Sequence, residues 1–360
     1  MYQKPFKIII EKGVVFMTKK IDFEKIFKTM NQYLKKFFKI LPNVVVPLLI
    51  IVLIENCFGT NHSVIGIILI FVCMLKVNEL KSIKTNVQMS FMLIVIAILA
   101  SIASLNLYTS IVLNLVIPFI IIYLTTAKQK ESNYFLYGYE FIMFQSYPIS
   151  ISEIPLRIVA IIVALALGYI YMKIYNRKEK IDENIVSDFD LVVYNMKHIK
   201  KELNFKVPRI RFAVRTAFIL WVTCVFMDLV TDRTIRSYWL PLITYSCLEI
   251  DNQKQKSKLL AQIGGATLGI GVFIIIFHWI PTHALLIFMA IAFTALFTVD
   301  NQYLKKAIGT ILGMSFVIPS FGEFGAILLR YVYVLGAIFI IAIFEYLRVI
   351  VRKIEHQIAQ

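Results

Sequence analysis

The sequence predicts an all-α integral membrane protein of about twelve transmembrane helices, built as two tandem six-helix repeats in the same orientation, with a pseudo-twofold along the membrane normal. Three observations predict it: an apolar excess, a regular alternation of apolar runs with basic loops, and a self-match at a shift of 173 residues.

Hydrophobic residues fill 59% of the 360 positions and charged residues only 17%, giving a mean hydropathy of +0.76. A soluble globule carries roughly 45–50% apolar and about 25% charged residues. A water-soluble fold with this composition would expose one large apolar patch, so the excess belongs in lipid. The net charge of +16 does not read as a nucleic-acid footprint. Its lysines and arginines sit in short stretches between apolar runs, as cytoplasmic loops require. Anionic inner-leaflet lipid is the expected partner, and nucleic acid is not. Cys57, Cys73, Cys224 and Cys247 lie in or beside apolar runs without metal-ligand spacing, so no metal or other cofactor is expected.

Residues 1–40 form a basic cytoplasmic leader with ten lysines and no compact signal-peptide core. The stretch Glu11-Lys12-Gly13-Val14 ahead of Met17 reads as a translated ribosome-binding site, which makes Met17 an alternative start. From Ile21 to Ile40 apolar residues recur at helical spacing between lysines. The pattern suits an amphipathic helix on the inner leaflet or a solvated leader helix. The first membrane repeat covers 41–174, with apolar runs near 42–58, 64–76, 88–104, 107–126, 133–150 and 155–174. Residues 175–208 form a cytoplasmic linker with a charged amphipathic helix ended by Pro208. The second repeat covers 209–347, with runs near 210–230, 238–250, 259–280, 282–299, 303–321 and 324–347, before a tail at 348–360. Runs 64–76 and 238–250 are shorter than the ~20 residues of a full crossing and read as half-helices or as spans extended by their flanks.

With the N-terminus inside, this parsing puts 34 of the 38 Lys and Arg on the inner side and leaves outside only Arg157, Arg233, Arg236 and Arg330. Both termini are therefore expected in the cytoplasm of a multi-pass plasma-membrane or inner-membrane protein. At the 173-residue shift Glu55 meets Asp228, Leu156-Arg157 meets Leu329-Arg330, and Lys81 meets Lys254. Pro148 and Pro319 correspond after a small slip. An even number of spans per copy keeps both copies facing the same way.

The second half carries Arg209-Ile-Arg211-Phe-Ala-Val-Arg215, then Ser237-Tyr238-Trp239-Leu-Pro241, then Gln262-Ile-Gly264-Gly265-Ala-Thr-Leu-Gly269. This arrangement resembles the fusaric acid resistance and aromatic acid exporter superfamily, to which the plant aluminium-activated malate transporters are distantly related. The resemblance covers roughly 205–350. It implies efflux of organic anions, often aromatic carboxylates, by paired six-span units, and assembly into homo-oligomers beyond the pair held in one chain. The sequence departs from the pattern where Ala261-Gln262 replaces the arginine expected before the glycine pair, and in the absence of a large soluble domain.

Arg157 and Arg330, paired by the repeat, are candidates for an outer anion site, since a guanidinium binds carboxylate through a planar fork. Snorkelling to the interface explains them as well. Arg211 and Arg215, one turn apart, are candidates for an inner anion vestibule with Lys305 and Lys306, or a plain positive-inside signal. Tyr238 and Trp239 suit stacking on an aromatic substrate or an interfacial belt. Glu55 and Asp228 are candidates for proton coupling, or solvated residues at the outer interface. Gly265, Gly269, Gly309 and Gly313 have the spacing of close helix packing. No metal cluster, P-loop, nucleophile elbow or dinucleotide fingerprint is present, so the chain is not read as an enzyme. The expected activity is secondary export of small organic anions, with proton coupling as an addition. A passive anion channel and a non-transporting scaffold for envelope assembly are the rivals.

Overall fold

The computed structural model describes residues 23–76, 80, 82–126, 134–175, 187–202, 207–230, 239–277 and 284–358. Among them the secondary structure is helical throughout. Helix α1 (Phe23–Phe58) is followed by α2 (Val64–Leu75), α3 (Ile83–Ala103), α4 (Leu107–Thr125), α5 (Tyr134–Ser146) and α6 (Ile154–Tyr175). Next come α7 (Asp188–Glu202), α8 (Pro208–Val230), α9 (Trp239–Cys247), α10 (Asn252–Phe277), α11 (Leu285–Thr298) and α12 (Gln302–Ile358). Seven segments are long and apolar enough to cross a membrane, the last of them Gly322–Ile350 within α12. Their outward faces stay apolar, with Phe91, Ile274 and Leu335 more than half exposed. Lipid is the solvent that tolerates such a face.

Local chemistry sets the breaks. Asn106 caps α4 through a reciprocal box with Thr109, satisfying amide donors that lipid cannot satisfy. Helix α12 folds back at Gly322, whose φ of 68° is a conformation that side-chain-bearing residues seldom adopt. We call the two arms α12a and α12b. Helix α5 ends at Ser146, two residues before Pro148. At 13 residues it is shorter than its apolar run, because a residue preceding proline is driven out of helical geometry.

Two boundaries differ from the sequence reading. The leader helix and the first span form one 36-residue helix, α1, through Pro42 and Pro47. Each proline removes one interior hydrogen bond, and the packing of α2, α6 and α11 along the rod holds it continuous. Pro208 opens α8 rather than ending the linker helix; its missing N–H falls where a first helical turn has no use for one.

The packing crosses between the halves of the chain. Helix α4 packs against α8, and α11 packs against α1, while α9 reaches back to α5. Helix α10 lies along α12, with Gly265 and Gly269 against its backbone: a Cβ on Gly269 would come within 2.5 Å of the Ala307 carbonyl oxygen. Gly309 faces open space.

Charged pairs gather at one end of the bundle. Lys36 bonds Asp300 at 2.9 Å, and Arg215 bonds Glu345 at 2.7 Å. Lys258 pairs with Glu249, and Lys76 with Asp188. The start of α1 and the far arm of α12 thus share that end. Lys36 holds the exposed Asp300 carboxyl below its ordinary range, through a hydrogen bond first and its charge second. Helix α7 docks on α3 and α4: Tyr137 donates to Asp188 at 2.9 Å, and Asn195 donates to the Leu124 carbonyl at 2.6 Å.

Candidate functional site

The residues singled out from the sequence do not gather in one place. Arg330 and Trp239 come together. Helix α12b carries Arg330 inward until it is 8% exposed, with its guanidinium 5.5 Å from the Trp239 ring centroid. Nη2 donates to the Thr310 hydroxyl on α12a at 3.1 Å. Nε is buried without an acceptor, and no carboxylate pairs with the guanidinium among the described residues. Gly313 makes the arrangement possible: a Cβ there would lie 3.0 Å from the indole and 3.2 Å from Arg330 Nη1. Its missing side chain leaves a small cavity between α9 and the two arms of α12, lined by Trp239, Gly313, Met314, Ala326, Arg330 and Tyr333.

A second cation stands nearby. Lys306, in the second turn of α12a, donates to the Ser246 hydroxyl at 2.8 Å and lies within electrostatic reach of Arg330. It too has no carboxylate partner among the described residues. From α5, the Tyr139 phenol faces the same field. Tyr139 continues into an aromatic row with Phe71 at 4.8 Å and Phe135 at 5.8 Å, and Phe135 stacks on Tyr245 at 5.7 Å. Uncompensated positive charge beside flat aromatic faces suits a carboxylate or sulfonate on an aromatic ring.

Arg157, which the 173-residue shift of the sequence sets against Arg330, is engaged differently. It is 1% exposed, with Nη2 donating to the Asn61 and Tyr147 carbonyls at 2.9 and 2.6 Å. Nη1 reaches the Ser101 hydroxyl at 3.1 Å and the Phe144 carbonyl at 3.5 Å. The guanidinium therefore serves carbonyls that the interrupted backbone around α5 and the α1–α2 turn leaves without helical partners.

The remaining candidates stand apart. Glu55 is exposed at the end of α1. Asp228 is buried and accepts a hydrogen bond from Ser110, at the head of a chain in which Asn114 donates to Ser110 at 2.8 Å and Gln145 to Asn114 at 2.8 Å. Arg211 is exposed on α8, and Arg215 is occupied by Glu345, Gln255 and the Glu249 carbonyl. Tyr238 lies outside the described residues, as do Arg233 and Arg236.

Residues 216–344 match the family model described as fusaric acid resistance protein-like. That segment is fusaric acid resistance protein-like. It takes in Asp228, Trp239, Gly265, Gly269, Lys306, Gly313 and Arg330, and covers less than half of the chain. No curated protein and no solved structure matches the chain. Together with the seven helices fit to cross a bilayer among the described residues, the fusaric acid resistance protein-like segment marks a multi-pass membrane protein and fits a membrane transporter.

One buried group escaped the sequence reading. Glu140, in the middle of α5, is 1% exposed, and neither carboxyl oxygen has a hydrogen-bond partner among the described residues. The signal was there: an acidic residue inside an apolar run is rare enough to mark function by default.

Proposed function

We propose that the chain is a secondary transporter that exports small aromatic or amphipathic organic anions across the plasma or inner membrane, with both termini cytoplasmic. The observation that carries this reading is Arg330: a buried guanidinium with Nε unengaged, seated on Trp239 and facing no carboxylate among the described residues. An uncompensated buried cation is costly, and a bound anion supplies the missing counter-charge. Trp239 and Tyr139 offer faces for the ring that carries the anion. Lys306, one turn from Thr310, gives the anion a first contact on its way in from the basic end.

The twelve-helix, two-repeat arrangement belongs to the same proposal, and the packing supports it. Moved by 173 residues, α1–α6 fall on α8, α9, α10, α11 and the two arms of α12. The cross-contacts α4–α8 and α11–α1 are then the same contact made twice, as a twofold demands. The basic end holds the start of α1 and the far arm of α12, and by the positive-inside rule it faces the cytoplasm. The domain limits 41–174 and 209–347 follow from that arrangement. The 175–208 linker lies between them, its helix α7 clamped to the basic end.

The test is flux in proteoliposomes. The probes are benzenesulfonate, which stays ionised and so does not leak as a neutral acid, and a panel of aromatic and dicarboxylic acids. Saturable movement of these anions, lost in Arg330→Gln, is expected. Linear, non-saturating conductance would favour the passive channel. No movement at either polarity would favour the scaffold.

A further inference from the structure

Glu140 is enclosed by four helices. Its side chain points into a cavity with room for about one water, walled by Ile68 and Leu69 of α2, Leu93 of α3, Phe144 of α5, and Ile161 and Leu165 of α6. None of these residues titrates or offers a hydrogen bond. By helix position, the ionisable groups next in line are His62 ahead of α2 and Cys73 one turn along it, Tyr137, Tyr139 and Tyr147 on and after α5, and Arg157 and Tyr169 one turn either side of the lining on α6. Helix α3 carries none beyond Lys84. A carboxylate stripped of water and of every donor is far costlier than the neutral acid.

We propose that Glu140 is the proton-binding carboxyl of the transport cycle, holding its proton while the cavity is closed and exchanging it when the surrounding helices open. The position has the anatomy of a relay station. Tyr137 lies three residues before Glu140, on the same helical face, and its hydroxyl bonds Asp188, which pairs with Lys76 at the basic end. On the other side Phe144 lies four residues after it and is capped by Arg157, whose guanidinium sits 5.1 Å from the ring centroid. A proton leaving Glu140 toward the basic end meets the Tyr137–Asp188 pair; toward the far end it must pass Phe144 and the bonds that Arg157 makes to four oxygens.

The repeat gives this site a counterpart. The 173-residue shift carries Glu140 to Gly313, Leu69 to Leu242 and Ile161 to Val334. Glu140 lines the first half's cavity and Gly313 lines the cavity of Arg330 in the second. One copy fills the matched place with an acid and lets its arginine serve backbone carbonyls. The other empties the place and lets its arginine enter. A proton site and an anion site thus occupy equivalent positions of two halves that interlock through α4–α8 and α11–α1. A movement that opens one is mechanically tied to the other.

This inference rests on the anion-transport reading, and the experiment separates the two. Proteoliposomes containing the wild-type chain, Glu140→Gln or Arg330→Gln are loaded with benzenesulfonate and given either a pH gradient or equal pH with labelled benzenesulfonate outside. The wild type is expected to move the anion in response to the gradient and to exchange it at equal pH. Glu140→Gln should lose the gradient response, down to the leak of empty vesicles, and keep exchange. Arg330→Gln should lose both. Infrared difference spectra across a pH jump supply a readout independent of flux: the protonated-carboxyl stretch seen in the wild type should be missing in Glu140→Gln and displaced in Glu140→Asp. A wild type that exchanges anion, with Glu140→Gln responding to the gradient as well as the wild type does, overturns the proton assignment and leaves transport standing. Loss of exchange together with the gradient response in Glu140→Gln assigns the residue to packing and also overturns it. A wild type that moves no anion in any arm overturns the transport reading itself.

Discussion

Replacing Arg330 with lysine keeps the charge and removes the fork, which isolates the geometry of the anion site. In the structure Nη2 gives one of its two hydrogens to Thr310 and Nε has no acceptor, so the Nε–Nη2 edge, where two N–H groups lie parallel, is the one a carboxylate fits bidentately. A charge-assisted hydrogen bond contributes about 1.5–3 kcal/mol. Lysine offers one such bond in place of two, so Arg330→Lys should weaken an aromatic carboxylate by about 1.5–3 kcal/mol, roughly 10- to 150-fold in Kd. Arg330→Gln removes both bonds and should cost on the order of 3–6 kcal/mol, enough to abolish measurable binding. Titration calorimetry of the purified protein with benzoate, and with benzamide as the uncharged analogue, reads the difference. Benzamide should be indifferent to either change. Thermal unfolding of the same samples guards against a structural explanation. Because the guanidinium is buried without a counter-ion, its removal should leave the melting temperature equal or higher. A lower melting temperature with unchanged benzoate affinity would make Arg330 an anchor and refute the site.

Other expectations follow from the same geometry. Gly269→Val drives a side chain into the Ala307 carbonyl and the Thr310 Cβ and should destabilise the protein by about 1–3 kcal/mol. Gly309→Ala meets nothing within 4 Å and should stabilise by up to about 1 kcal/mol; thermal unfolding in detergent compares them. Lys76 and Asp188 form a buried pair, with side chains 4% and 3% exposed. Lys76→Met or Asp188→Leu alone should therefore cost about 3–5 kcal/mol locally and speed proteolysis within 187–202. The double variant should recover much of the protection. Asp300 titrates below its ordinary 3.8 because of Lys36, so its contribution is present above that value and fades only as pH falls through the lowered one. The melting difference between Asp300→Asn and wild type should accordingly stay constant across neutral pH, shrink under strong acid, and shrink with added salt.

The sequence made the helices legible because lipid imposes length and apolarity run by run. A helix or a helix arm lies at each of the twelve runs. It also brought out Arg330 and Trp239, through a motif and a repeat. What it could not show was how each arginine is used. The 173-residue shift pairs Arg157 with Arg330, yet one bonds the carbonyls of Asn61, Phe144 and Tyr147, which two separate stretches of the chain bring to it. Glu140 was visible as an acid inside an apolar run, but its enclosure shows only when α2, α3 and α6 close around it. The continuity of α1 through two prolines was likewise decided by packing, since α2, α6 and α11 line that rod from the side.

The exchange of helices between the halves has a developmental consequence. Helix α4 emerges early in synthesis but finds its main companion, α8, only after the linker has been made, and α1 waits for α11 nearly to the end. Neither half completed alone would hide its faces, so the two fragments produced from separate genes should be degraded singly and survive only together.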